Sequence, residues 1–455
     1  MITTLSEKEY FMELDDVLEK VQEQDIRFVR FLYCDNGGII RGKSAYAPTL
    51  PARLSSGIGL TVAMQAMNSL DQLQTVEGMG PVGEVRLVPD LSTFQILPYA
   101  PHTGAVLTVM TTLDGKPWDA CPRHFLARMD QQAKAMGITI QASIENEFSL
   151  VQDGKPWDET LCFSSQGMLI SQDFLDDLAT NLEQQGIILE QYYPELAHGQ
   201  HEISVRHRPI MEAASQQLYI RETIRAIAKR HGLQVSFAPK PWLDQAGNGG
   251  HIHFSALDDE GNNLFYDARD PYRLSTMGYQ FMAGILHHLP ALLALTTPSV
   301  NSYQRLVPNA WSSSYACWGP DNREAPLRIA SPIKSQEQQS VNVEFKPADL
   351  SSNPYLALGG LIAAGLDGIT KKLDPKDPVL SNPDDIPADE REIRGIIRLP
   401  SSLDQALSHL AQNAVLHDAM GELLMQSYLA VKHSEVAFYQ NKSPEEIAAW
   451  HRFRY

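Results

Sequence analysis

Four short stretches of this chain alternate apolar with ionisable residues, and the ionisable faces carry groups suited to metal or nucleotide chemistry. Across residues 138–151 the even positions Ile138, Ile140, Ala142, Ile144, Phe148 and Leu150 are apolar. The odd positions bring Glu145 and Glu147 to the opposite face. A strand turns successive side chains to opposite sides, so this spacing predicts one strand with both carboxylates pointing the same way. HIHFSAL sets His251, His253 and Ser255 together, VNVEFK sets Asn342, Glu344 and Lys346 together, and GQHEIS sets Gln200, Glu202 and Ser204 together. A sheet with one apolar face and one face of carboxylates and imidazoles is suited to floor a cation-binding site.

Alone, each motif is modest: an ExE pair is usually a solvated strand face, and most HxH pairs are core or surface histidines. Together, Glu145, Glu147, Glu195, Glu202 and Glu344 supply five carboxylates, and His251 adds one imidazole. Hard oxygen ligands with a single histidine suit Mg²⁺ or Mn²⁺ better than zinc, which favours more His or Cys. Two or more divalent ions in one site point to phosphoryl transfer, where they neutralise nucleotide phosphates.

The surrounding sequence must position these groups. The chain has 455 residues, enough to bury a large core and to divide into domains. Its formal charge of −18 argues against nucleic acid as a partner. Four scattered cysteines without CxxC spacing read as reduced thiols. No run reaches the ~20 apolar residues of a membrane helix and the start lacks a signal-peptide pattern, so a cytoplasmic location is expected. Residues 6–24 have helical spacing. Two β-rich runs flank Asp35-Asn36-Gly37-Gly38, a hairpin signal. Further strands are expected near 93–97 and 106–112, and helices over 122–136, 172–185, 208–231, 274–293 and 355–371. One-sided alternation between helices predicts an α+β fold with an antiparallel sheet. A domain boundary is expected at 113/114, where DGKPW forms a turn. The aromatic, basic end WHRFRY reads as an exposed tail or a subunit contact.

The motifs occur in an order that closely resembles the glutamine synthetase family. RFVRFLYCDNGGIIRGKS and VRLVPDLSTF open the resemblance. IENEFSL, PELAHGQHEIS, GNGGHIHFSAL, NSYQRLVPNAW, WGPDNREAPLRI and VEFKPADLSSNPYLALGGLIAAGLDGI continue it. The resemblance implies an N-terminal β-grasp domain (1–113) and a catalytic domain (114–455) built on a curved antiparallel sheet. It implies two stacked rings, commonly hexamers forming a dodecamer, with active sites shared between neighbours, so that residues 46–90 would complete the next subunit's site. Glu147, Glu195 and Glu202 match ligands of one metal ion; Glu145, His251 and Glu344 match ligands of a second. Glu190, His253 and Ser255 match nucleotide contacts. Arg305 matches the arginine gripping glutamate's carboxylate, and Gly249 lets backbone approach that amino acid. Arg323 and Arg328 match arginines that steady the transferring phosphoryl group and the ATP phosphates. The implied reaction phosphorylates the γ-carboxylate of glutamate with ATP and passes the acyl group to an amine.

Several residues depart from ammonium-using members. An early Asp-Gly-Ser-Ser segment is replaced within GIGLTVAMQAMN by Thr61, Val62, Ala63 and Met64. A flap glutamate is replaced by Trp311, and a tyrosine lining the ammonium pocket is lost around Cys162–Ser164. Ammonium offers only charge and hydrogen bonds, whereas an indole and aliphatic chains suit an organic amine. Lys346 stands where many relatives carry an arginine that contacts glutamate. The loop containing an adenylylated tyrosine in some bacterial members is replaced by LDPKDPVLSNPDD, so that regulation is not expected. The expectation is therefore a γ-glutamyl amide ligase, against two alternatives: a true glutamine synthetase and an inactive structural or regulatory homologue.

Overall fold

A computed structural model of the chain describes residues 12–455. The N-terminal helix runs Leu14–Glu23, and the expected turns before residue 12 lie outside the described residues. Asp35–Ile39 closes the expected hairpin between strands Phe28–Cys34 and Ile40–Tyr46, with Cys34 opposite Ile40. Gly38 has φ +83°, and a Cβ there would meet the Ser351 carbonyl oxygen at 2.0 Å, so glycine is required on both counts. Phe28–Cys34 pairs in parallel with Thr103–Thr111, which continues antiparallel to Glu84–Pro89 and then Ile58–Thr61. Val17, Val21, Phe31, Leu50 and Val106 fill one apolar cluster of this domain, and Leu60, Val85, Leu87, Met110 and Trp118 fill another.

The alternation across residues 138–151 does not make one strand. Thr139–Ile144 belongs to a six-stranded sheet and Asn146–Gln152 to a five-stranded one, with Glu145 at the crossing. The Glu145 amide donates to the His251 carbonyl (2.9 Å), which turns the chain from one sheet to the other. Alternation persists through this break, because each half buries an apolar face in the same large core. In the six-stranded sheet Thr139–Ile144 pairs with Ile252–Leu257, then Val343–Phe345, Leu327–Ile329 and Trp318–Pro320. In the five-stranded sheet Asn146–Gln152 pairs with Gln200–Val205 and with Gln234–Ser236. Pairing in both is antiparallel, apart from Trp318–Pro320 beside Leu327–Ile329. The architecture is α+β, with a separate N-terminal sheet and a strongly curved catalytic one.

Helices Pro122–Ala135, Ile210–Arg230, Thr276–Thr296 and Pro354–Lys371 pack behind the sheets. The last two touch backbone to backbone: a Cβ on Gly284 would lie 2.1 Å from the Ala364 carbonyl oxygen. The C-terminal end is docked rather than a free tail, although Trp450 and Phe453 remain exposed. Tyr455 is buried, and the Arg452 guanidinium bonds the Pro241 carbonyl while lying over the Trp242 ring. No helix among the described residues is long and apolar enough to cross a membrane.

Candidate active site

The crossing at Glu145 brings both sheets' ionisable residues to one place. Glu202 lies directly opposite Glu147 on adjacent strands of the five-stranded sheet, and His253 lies opposite Glu344 in the other. His251 bridges them. Its Nδ1 lies 3.1 Å from Glu145 and 3.4 Å from Glu344, and its Nε2 lies 3.6 Å from Glu147. Arg305 Nη2 sits 3.0 Å from the same Nε2. A guanidinium only donates, so Nε2 accepts and Nδ1 carries the hydrogen facing Glu145 and Glu344. Glu145, His251 and Glu344 offer ligand atoms within 4.8 Å of one another, a spacing that fits a cation in that hydrogen's place.

The electrostatics favour such an ion. Burial and then Glu147 push the Glu195 carboxyl up to about 7. Burial and the Glu147 and Glu145 charges push Glu202 up to about 10. Carboxylates crowded this closely cannot all stay ionised without a compensating cation. On the other side, burial raises Glu145, but His253 and His251 outweigh it and hold that carboxyl well below the usual range. Glu344 behaves alike: against its burial, Lys346 and the two histidines hold it at about 2. His253 is desolvated, yet Glu145 lifts it to about 9. One half of the cluster is neutralised by the protein's own cations. The half formed by Glu147, Glu195 and Glu202 holds excess negative charge, a donor set of oxygens that fits Mg²⁺ or Mn²⁺.

Most of the expected residues meet here. Gly249 donates its amide to Glu147 Oε2 (2.8 Å), and a Cβ there would collide with Arg305, His251 and Glu147. Arg328 bonds Glu344 through Nε, and Lys346 is buried with Nζ 3.2 Å from Glu344. His253 is held by Glu145 (3.0 Å) and Asn342 (2.8 Å), so it belongs to the cluster itself. Ser255 lies two residues further along the same strand, opposite Gln141. Glu190 is not brought in: it is exposed, at an irregularity of strand Leu189–Pro194, and pairs with Arg206 (3.1 Å).

Trp311 and Arg323 stand in an adjoining open groove of about 480 Å³. Trp311 is 62% exposed and has φ +53°, a strained conformation for a bulky residue; Asn309 and Ser313 beside it are also left-handed. Arg323 also lies near enough to Glu195 to pull its carboxyl downward.

Three participants were not among the expected site residues. Tyr193 donates its hydroxyl to Glu202 (2.6 Å), and Phe163 packs edge-on against the Tyr193 ring. Gln200 ties Glu147 (3.1 Å) to the Gly247 carbonyl (2.9 Å). Gln200 was legible as the residue two before Glu202 on the same face. Tyr193 depends on a cross-strand register that sequence does not print. Glu324 accepts from the Trp311 amide (2.8 Å) and lies in a loop with no periodicity to mark it.

Two family models match the chain: a glutamine synthetase N-terminal domain over residues 12–118 and a glutamine synthetase catalytic domain over 119–451. The chain is similar to a gamma-glutamylpolyamine synthetase, GlnA3, of Streptomyces coelicolor, with 34% identity over 95% of this chain and 94% of that protein. It is also similar to a glutamine synthetase of Halobacterium salinarum, with 32% identity over 96% and 95% of the respective chains. Among solved structures, a crystal structure described as a novel glutamine synthase homolog superposes with a TM-score of 0.87 at 32% identity, covering 95% of this chain and 99% of that one. The chain belongs to the glutamine synthetase family.

Proposed function

We propose that this protein, an ATP-dependent ligase by family, joins the γ-carboxylate of glutamate to an organic amine through γ-glutamyl phosphate. The observation that carries the reading is a pairing: a cluster of carboxylates around His251, with Glu145, His251 and Glu344 spaced as ligands, beside Arg305, Arg328 and Lys346, and an indole on the adjoining flap. The cluster argues against an inactive homologue, and the indole favours an amine with apolar surface over ammonium.

Glu147, Glu195 and Glu202 would hold one divalent ion, and Glu145, His251 and Glu344 a second. Bound there, Mg²⁺ or Mn²⁺ would neutralise charge on the ATP phosphates. Arg305 orients glutamate's α-carboxylate, with Gly249 giving backbone access. Arg323 and Arg328 hold the phosphoryl oxygens through planar, charge-assisted contacts. A carboxylate oxygen leaves poorly, and phosphorylation turns it into a good leaving group for the amine's attack. His253, Ser255 and Glu190 serve the nucleotide, Glu190 from an exposed position where it pairs with Arg206. The reading includes domains meeting at 113/114, a cytoplasmic location and a dodecamer of two stacked hexameric rings with shared sites.

The test is ADP release with Mg²⁺, ATP and glutamate across ammonium, methylamine, ethanolamine, putrescine, isopropylamine and aniline, with product masses. Turnover of an organic amine well above ammonium is the expected result. Preference for ammonium would make the protein a glutamine synthetase, as the Halobacterium relative is named.

A further inference from the structure

Among the hydrogen bonds that hold the groove beside the cluster, one sets its flap. Glu324 accepts the Trp311 backbone amide at 2.8 Å and so fixes the flap in its left-handed conformation. Its carboxylate is half-buried, and no Lys, Arg or His nitrogen among the described residues lies within ion-pair distance of it. Lys346 acts on it only from farther off. The other carboxylate lining this groove, Asp321, is already engaged by the Ser331 amide and hydroxyl. Glu324, which accepts the Trp311 and Asn309 backbone amides, therefore offers the groove a negative charge that has no cationic side chain at ion-pair distance, in the same groove as the exposed Trp311.

The groove's size bears on what that charge is for. About 480 Å³ is many times the ~30 Å³ share of one water-sized ion and lies within the range of small-molecule sites. The groove adjoins the cluster through Arg323, which lines it and also acts on Glu195. A nitrogen that attacks an acyl phosphate must first shed its proton, and a carboxylate partner would favour keeping it. A carboxylate set apart from the reacting end is better matched to a second nitrogen that stays charged throughout.

Resting on the ligase reading above, we infer that the acceptor is a diamine or polyamine. Its distal ammonium pairs with Glu324, and its methylene chain lies along Trp311. The near amine is thereby presented toward the cluster. Glu324 is a specificity-determining residue, and Trp311 supplies the apolar wall.

The experiment compares 1,4-diaminobutane with n-butylamine in wild type, Glu324→Gln and Trp311→Ala. Glutamine keeps an oxygen for the Trp311 amide and removes only the charge. Wild type is expected to favour the diamine. Glu324→Gln should cut kcat/KM for the diamine roughly 10–100-fold, the scale of a lost charged hydrogen bond, with butylamine and glutamate KM within about twofold. Trp311→Ala should raise KM for both amines. Equal losses on both amines, or a shift in glutamate KM, would overturn the assignment of Glu324. A wild type that prefers butylamine overturns the diamine class while leaving the ligase reading intact. Glutamine formation in preference to every organic amine overturns the ligase reading itself. Calorimetric binding of 1,4-diaminobutane to wild type and Glu324→Gln decides the contact even without turnover: binding weakened by the substitution supports it, and equal or absent binding refutes it.

Discussion

Cation binding at this site should displace protons, and the number follows from the cluster. At pH 7.5 a Glu202 carboxyl lifted to about 10 is essentially fully protonated, and a Glu195 carboxyl at about 7 is about one quarter protonated. An ion coordinated by both must expel roughly 1.2 protons. His253 owes its elevation to about 9 to Glu145, so drawing Glu145 toward an ion frees up to about 0.9 more. The perturbation is Glu202→Gln, which removes the largest single contribution, about one proton, and weakens binding. The assay is calorimetric titration of Mn²⁺ into chelator-treated protein in two buffers of different ionisation enthalpy. The buffer dependence of the heat counts protons. Wild type should release between about one and two per site, and the variant about one fewer. A wild-type heat independent of buffer would refute the charge-crowding argument. So would a variant that still releases as many.

The same groups set how stability varies with pH. Glu202 is raised from 4.5 to about 10 in the folded protein, so the unfolded chain releases a proton that the native state keeps. Stability is therefore lost as pH rises through that interval, by about 3 kcal/mol from pH 6 to 8.5. His253, held at about 9, acts in the same direction above its ordinary 6.5. Glu344, held at about 2, matters only in acid. At roughly 2.1 cal/mol/K per residue, the thermal midpoint of chelator-treated protein should fall by about 3 °C over that range, and Mg²⁺ should reduce the fall. Gly249→Ala would place a Cβ 2.6 Å from Arg305 Nη2 and 2.7 Å from His251 Nε2. Ligase activity should drop about 100-fold or more, with far-UV circular dichroism unchanged. Cys34, Cys121 and Cys317 are buried with thiols pushed upward, whereas Cys162 is only half-buried. One thiol per chain should label quickly with a maleimide under native conditions, and peptide mapping should place it at Cys162.

The sequence made legible those features that local periodicity encodes. Glu147 with Glu202, and His253 with Glu344, lie opposite each other on strands the alternation predicts, and collinear motifs brought the arginines along. The break at Glu145 was hidden because both flanking strands bury alternate residues in one core. The position of Glu190 outside the cluster could not be read, because it follows from an irregularity in its strand and a pairing with Arg206. Trp311 was found by its place in a motif, but its backbone conformation depends on Glu324, thirteen residues away in a loop without pattern. The docked C-terminal end could not be read either, since burial of Tyr455 depends on the tertiary neighbours it meets.

The passage of the chain between sheets at Glu145 has a consequence for assembly. Like charges concentrated on one sheet would oppose each strand as it joined. Here each sheet completes its hydrogen bonds with only part of the charge: Glu147 and Glu202 on one, Glu344 with its own histidine and cationic neighbours on the other. Repulsion reaches full strength only when the two sheets dock. At that moment His251 and Arg305 span the junction and act as a zip. Much of the conflict, between Glu147 and Glu202 on neighbouring strands and with Glu195, is nonetheless built into one sheet, and docking adds Glu145 to it, so a proton or a cation must resolve it in the finished fold.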